Sequence, residues 1–105
     1  MAKFKNYGYL GCMFERNRFL LTLPPADELA KTRNLLVSVD GRSSNKNVPL
    51  TQETYEFGAG MGCFVFIRIL DQDGEGSSWV YETDFLLVPG EDIPEEAGIK
   101  VERID

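Results

Sequence analysis

The sequence predicts an all-β protein, an antiparallel sandwich of about seven strands. Three observations lead to this prediction. Short apolar runs alternate with polar residues at the period of a strand along most of the chain. Clusters of Gly, Pro, Asp and Asn separate these runs at intervals of roughly 8–15 residues, as turns between strands do. The 105 residues suffice for one domain, so residues 1–105 are treated as a single domain.

The first half of the chain contains three predicted strands and one predicted loop. The strands are residues 7–14, 18–23 and 34–40. Pro24 and Pro25 end the second strand, because neither ring can donate a ladder hydrogen bond. Gly41 ends the third strand. The polar residues 42–47 that follow are predicted to form an exposed loop.

The second half contains four predicted strands. They are residues 51–57, 63–70, the stretch from Trp79 to Leu87, and 99–104. Residues 63–70 are apolar on both faces apart from Arg68, which predicts a central strand covered on both sides, or covered on one side by a neighbouring copy. In the following strand Trp79, Tyr81, Phe85 and Leu87 are predicted to share one face.

Charge and composition exclude several classes of function. The chain has no His, which rules out Ser-His-Asp triads and His-ligated metal sites, and no cofactor is predicted. A net charge of −6 argues against binding to nucleic acid or an anionic membrane. The N-terminal segment 1–18 is basic and the C-terminal segment 89–105 is acidic. Two solvated ends explain this distribution, and head-to-tail docking between copies is the alternative.

Two further features concern the compartment in which the chain is made. The first residues lack the apolar run of a signal peptide, so we expect synthesis in the cytoplasm without such a peptide. Cys12 and Cys63 have no CxxC spacing and offer too few ligands for a closed metal site. In a reducing compartment two packed thiols are expected, and a disulfide is the alternative.

Two groups of residues are candidates for binding a partner. Arg16, Arg18 and Arg68 are arginines of the kind enriched at interface hot spots, although two of them flank a bend and can simply keep it soluble. Arg42, Asn45 and Asn47 belong to the predicted polar loop, a natural place for exposed contacts.

Acidic residues provide two other candidate sites. Asp71, Asp73 and Glu75 alternate along a glycine-containing turn and are candidates for Ca²⁺ binding, but the same residues are ordinary in hairpin turns, and no metal is predicted. Glu82 and Asp84 share one face of a strand at a spacing that suits glycoside hydrolysis. Polar outward positions on a strand are the rule, however, and the chain is predicted not to be an enzyme.

Four short motifs carry a resemblance to a known class of repeats. The run LDQDGEGS at 70–77, the strand end FLLV at 85–88 and the pair Ile93–Pro94 resemble the C-terminal half of fibronectin type III/immunoglobulin-like repeats of bacterial surface and phage virion proteins. VSVDG at 37–41 is similar to the strand and turn that these repeats place before a polar loop. The similarity covers roughly residues 19–104. The order Cys12, Cys63, Trp79 differs from antibody-type domains, in which the tryptophan falls between the cysteines.

The resemblance implies an Ig-like or fibronectin type III-like sandwich with a role in adhesion or assembly. The leading expectation is a structural module, a phage capsid-decoration or other virion accessory protein, whose partners are a capsid or virion protein or copies of itself. The alternative is an adhesion module that binds carbohydrate or a cell-surface protein through its loops. A neighbouring gene for a capsid or portal protein would favour the first expectation.

Overall fold

The fold consists of strands joined by turns. The structure is a computed structural model, and it describes residues 18–59, 62–88 and 91–104. Within these residues the seven strands are β1 (Arg18–Thr22), β2 (Thr32–Val39), β3 (Arg42–Val48), β4 (Thr54–Gly58), β5 (Phe64–Gln72), β6 (Trp79–Leu86) and β7 (Lys100–Arg103). One 3-10 turn, Glu95–Ala97, precedes β7. No helix in this part of the chain has the length and apolarity needed to cross a membrane.

The strands form two antiparallel sheets, which confirms the predicted all-β sandwich. One sheet has three strands in the order β4-β1-β7, and the other has four in the order β3-β2-β5-β6. Every pair of neighbouring strands is antiparallel. Among the described residues, the edge strands are therefore β4 and β7 in the first sheet and β3 and β6 in the second.

The core lies between the sheets and is built by alternation along each strand. On β5, the side chains of Val65, Ile67 and Ile69 are fully buried, whereas the residues between them are more exposed. Leu35 of β2, in the four-stranded sheet, and Leu21 of β1, in the three-stranded sheet, are also fully buried. Burying a side chain of this kind stabilises the fold by about 1.5–3 kcal/mol. The two inner faces therefore supply the main apolar contribution to folding.

The prediction of a loop at residues 42–47 is wrong, because these residues belong to β3. β3 pairs with β2 over its whole length, from Arg42 opposite Val39 to Val48 opposite Arg33. As an edge strand, β3 exposes most of its side chains on both faces, which permits a polar composition in an extended strand. Charged side chains on such an edge also oppose pairing with another chain.

The predicted strand at residues 7–14 lies outside the described residues. The strands predicted around residues 18–23, 34–40, 51–57, 63–70 and 99–104 are present, with ends shifted by a few residues. The count of seven is reached because β3 adds a strand that the sequence pattern did not predict.

A β-bulge corrects the predicted facing of Trp79. The register of β5 and β6 shifts between Ile69 and Leu70, so that Tyr81 lies opposite Ile69 and Trp79 opposite Leu70. Residues opposite each other in a ladder share a face. Trp79 therefore lies on the outer face of the sheet, whereas Phe85, opposite Val65, lies on the inner face.

Cys63 precedes β5 and is buried, with 1% of its surface exposed. It is disulfide-bonded, so the expectation of a packed thiol is wrong for this residue. Cys12 lies outside the described residues.

Candidate functional site

The outer face of the four-stranded sheet carries a group of apolar side chains that we call the apolar patch. Its members share the face opposite to the core: Leu36, Phe64, Phe66, Leu70, Trp79 and Leu86. Phe64 is 39% exposed, Trp79 38% and Leu86 51%. Exposed apolar groups that adjoin one another in this way mark interaction sites more often than isolated ones do.

The patch has a regular order along β5 and β6, because opposite residues form rows across the two strands. The four rows, from the Phe64 end, are Phe64 with Leu86, Phe66 with Asp84, Arg68 with Glu82, and Leu70 with Trp79. Thus the first and fourth rows are apolar and the two central rows carry the charges. The rings of Phe64 and Phe66 also contact edge to face, with centroids 4.8 Å apart.

Arg68 stands at the centre of the patch. Its Nε donates a hydrogen bond to Glu82 Oε1 over 2.9 Å, and its guanidinium carbon lies 5.3 Å from the centroid of the Phe66 ring. A cation over an aromatic face is attracted to it. Asp84 makes no ion pair with any of the described residues. The unpaired carboxylate and the paired arginine line a shallow depression of about 240 Å³ together with Phe66, Glu82 and Thr83.

Neutral polar side chains continue this face over β2 and β3. Asn34 lies opposite Leu70, and Asn47 lies opposite Asn34. The Asn47 Nδ2 donates a hydrogen bond to Asn34 Oδ1 over 3.4 Å. Asn45 lies opposite Leu36, in line with Arg68. The outer face therefore has an apolar and charged half on β5 and β6, and an amide-rich half on β2 and β3.

The predicted binding residues are only partly brought together. Arg68, Asn45 and Asn47 share the outer face of the four-stranded sheet. Arg42 lies opposite Val39 and therefore on the other face of β3. Arg18 belongs to the three-stranded sheet, where it forms an ion pair with Glu56. Arg16 lies outside the described residues.

The acids considered for Ca²⁺ binding do not converge. Asp71 is buried and accepts a hydrogen bond from Arg33 Nε over 2.8 Å and one from the backbone N–H of Asp27 over 3.0 Å. Asp73 instead accepts a hydrogen bond from the backbone N–H of Glu75, an ordinary turn contact. Across the described residues no group of three or more acids, cysteines or histidines is placed to hold a metal ion.

The Arg33–Asp71 pair is the main charged group inside the sandwich. Both side chains are nearly inaccessible, with 1% and 5% of their surface exposed. Burial raises the pKa of the Asp71 carboxyl, but the hydrogen bonds from Arg33 and Asp27 and the charge of Arg33 outweigh burial, and the pKa lies below its ordinary value. Asp71 is thus an ionised structural group. Through its hydrogen bond from Asp27, it holds the segment between β1 and β2 against the end of β5.

Two larger depressions lie away from the patch. One, of about 470 Å³, includes Pro24, Pro25 and Leu50 in its lining. The other, of about 380 Å³, lies beside Phe19 and Val101 and is bordered by Asp92 and Glu102. Neither of them includes any of the predicted binding residues.

No protein-family model, curated protein or solved structure matches the chain. The class that the structure defines is therefore an antiparallel β-sandwich of a three-stranded and a four-stranded sheet.

Proposed function

We propose that this chain is a non-enzymatic assembly module that attaches to a protein partner through the apolar patch. The setting we propose is a virion, in which the chain serves as a capsid-decoration or other accessory protein. The observation that carries the proposal is the outward half of β5, where Phe64, Phe66 and Leu70 alternate with a fully buried inward set.

The apolar patch has no role in the core that would explain its composition. Val65, Ile67 and Ile69 already fill the inner face of β5. Outward positions on an antiparallel sheet are ordinarily polar, since one face packs and the other meets water. Aromatic side chains and arginine are enriched where proteins bind one another. A docking surface therefore fits the outward side chains better than a solvated face does.

The order of the strands supports an Ig-like type of sandwich. In variable-type Ig domains one sheet contains the strands C′, C, F and G, and the other contains A, B, E and D. The order β3-β2-β5-β6 is that of C′-C-F-G, and β1 beside β4 corresponds to B beside E. β7 lies on the other side of β1, where Ig domains have strand A, but β7 is the last strand of this chain whereas strand A is the first of an Ig domain. Ig-like modules of this kind fit the proposed accessory role.

A second candidate function is adhesion to carbohydrate. It is favoured by the row in which Asn47, Asn34 and Leu70 lead to Trp79, because amides and an exposed indole suit a sugar that stacks and hydrogen-bonds. The binding surface is then the sheet rather than the loops, since residues 42–47 form β3. Retention of the chain on an immobilised polysaccharide, lost in Trp79→Ala, would favour this candidate.

The proposal is tested in particles from the organism that encodes the chain. A tagged chain is produced there, and the particles are separated on a density gradient. We expect the chain in the particle fraction, and we expect Leu86→Asp to remove it because a carboxylate enters the patch. Leu29→Asp is the matched control, since Leu29 is 75% exposed and lies outside the patch. A wild-type chain found only as free protein, or an unchanged Leu86→Asp variant, contradicts the proposal.

A further inference from the structure

We propose that the apolar patch binds the same patch of a second copy of this chain, face to face about a two-fold axis. The axis lies between the facing four-stranded sheets of the two copies and runs perpendicular to their strands. This inference rests on the proposed function, in which the patch docks a protein, and names that protein as another copy of the chain.

The order of the rows makes the patch complementary to itself. A two-fold axis across the strands, placed between the second and third rows, sets the first row of one copy against the fourth row of the other. Phe64 then faces Leu70 of the second copy, and Leu86 faces Trp79 of the second copy. Both contacts are apolar, and the symmetry repeats each of them.

The same operation places the charged rows against each other. Phe66 faces Arg68 of the second copy, which continues the contact that Arg68 makes with Phe66 within one chain. Asp84 comes to lie beside Arg68 of the second copy. The planar guanidinium can then bind Glu82 of its own chain and Asp84 of the other. Asp84, unpaired among the described residues of one chain, thereby gains a cation.

Like charges limit the strength of this dimer. Each copy contributes Arg68, Glu82 and Asp84 to the two central rows, so that each copy carries a net charge of −1 there. Glu82 faces Asp84 of the second copy, with a guanidinium beside each pair. A moderate rather than a tight association follows.

A two-fold axis parallel to the strands and midway between β2 and β5 fits the side chains less well. It would set β6 against β3 and β5 against β2, so that Trp79 meets Asn47 and Leu70 meets Asn34. Apolar side chains would then cover amides, and these amides would lose water without gaining a matched partner. The axis across the strands instead keeps β5 and β6 of one copy over β5 and β6 of the other.

The small size of the face and the acids that face each other across it both favour a weak dimer. Four strands about 4.8 Å apart and four rows about 6.6 Å apart give a face of roughly 19 by 26 Å, or about 500 Å² per copy. The total of about 1,000 Å² lies at the lower end of specific interfaces. We therefore expect a dissociation constant on the order of 0.1 mM.

Sedimentation equilibrium of the purified chain is the first test. We expect a monomer–dimer equilibrium that is half complete at about 0.1 mM. Leu86→Asp should raise the dissociation constant at least about tenfold, because it sets a carboxylate against Trp79 of the second copy. Leu29→Asp adds the same charge outside the patch and should leave the equilibrium unchanged. A chain that remains monomeric up to about 1 mM overturns the proposal.

Cross-linking tests the orientation of the two copies. Leu86→Cys and Trp79→Cys are made separately and treated with a short bis-maleimide, with the unsubstituted chain as the blank. An equimolar mixture should cross-link efficiently. The Leu86→Cys variant alone should not cross-link, because position 86 of one copy lies three rows, about 20 Å, from position 86 of the other. Cross-linking of Leu86→Cys alone, or none in the mixture, overturns the proposed axis.

The outcome also separates this inference from the proposed function. If the free chain is monomeric and yet enters particles in a manner that depends on Leu86, the proposed function stands and the second copy is replaced by another protein. If the chain dimerises as described but never enters particles, the inference stands and the proposed function fails.

Discussion

The inner and outer faces of the four-stranded sheet are both apolar along β5, but only the inner face is buried. Inward, Val65 and Ile67 are fully covered by the other sheet. Outward, Phe64 is 39% exposed. The inward side chains of β5 stabilise the folded state because folding removes them from water. The exposed outward side chains stabilise it less, because folding leaves part of their surface in water. The comparison teaches that the apolar run of β5 serves folding on its inner side, whereas its outer side is left for the association that we propose.

The outer face of the three-stranded sheet shows that an apolar outer face is not general in this molecule. There Leu20 of β1 lies between Glu56 and Glu102 on the neighbouring strands. Thr22 lies between Thr54 and Lys100. This polar composition is typical of a face that meets water.

The largest single effect is expected at the buried end of the inner face. Asp71→Asn removes the charge that compensates Arg33, which is 1% exposed. We expect the free energy of unfolding to fall by about 3–5 kcal/mol in urea titrations, since a buried unpaired guanidinium remains. The double variant Arg33→Met with Asp71→Leu is the control and should be markedly less destabilised. Equal losses in both variants would show that the charge itself is not the cause.

The same pair predicts a decline of stability in acid. The pKa of Asp71 is lowered from its ordinary value of 3.8, so its contribution is fully present above that pH and is lost as the pH falls below it. The free energy of unfolding of the wild type should therefore decline faster below about pH 4 than that of Asp71→Asn, which has no proton to gain at this position. Parallel pH profiles would contradict the assigned role of the carboxylate.

The comparison of the two faces is sharpest with one leucine and one isoleucine. Ile67→Ala opens a cavity at a fully buried position and should cost about 2–5 kcal/mol. Leu86→Ala removes a side chain that is 51% exposed and lies opposite Phe64, and should cost less than about 1 kcal/mol. Both values come from denaturant titration at micromolar concentration. Similar losses would mean that the outer face belongs to the folding core.

The smallest effects are expected at the exposed ion pairs of the two outer faces. Arg18 pairs with Glu56 on one sheet and Arg68 with Glu82 on the other. Arg18→Gln and Arg68→Gln should each change the free energy of unfolding by no more than about 1 kcal/mol. Only Arg68→Gln should weaken association in sedimentation experiments. An equal effect of Arg18→Gln on association would remove the distinction between the faces.

Much of the sandwich follows from the sequence, because alternation between buried and exposed positions directly reflects two packed sheets. The apolar run around Ile67 predicts a central strand, and the structure confirms it. β3 was missed because an edge strand with two exposed faces has the composition of a loop. The facing of Trp79 was missed because a one-residue bulge reverses a period-two pattern without leaving a clear mark in the sequence.

The candidate site was predicted less completely than the fold. Arg68 was identified, and the two-sided apolar run predicted a strand covered on both sides, or covered on one side by a neighbouring copy. Asp71 was interpreted as a turn acid because its buried partner, Arg33, lies 38 residues away in sequence and is brought close only by the pairing of β2 with β5. Long-range pairs of this kind are set by register, which a single sequence does not specify.

Hydroxyl-radical footprinting tests the docking role of the apolar patch most directly. The oxidation rates of Phe64, Trp79 and Leu86 are compared between the dilute free chain and the chain in isolated particles, with Leu29 as the exposed reference. We expect strong protection of the three patch residues in the particle and none at Leu29. Equal oxidation of the patch in both states would contradict a docking role for this face.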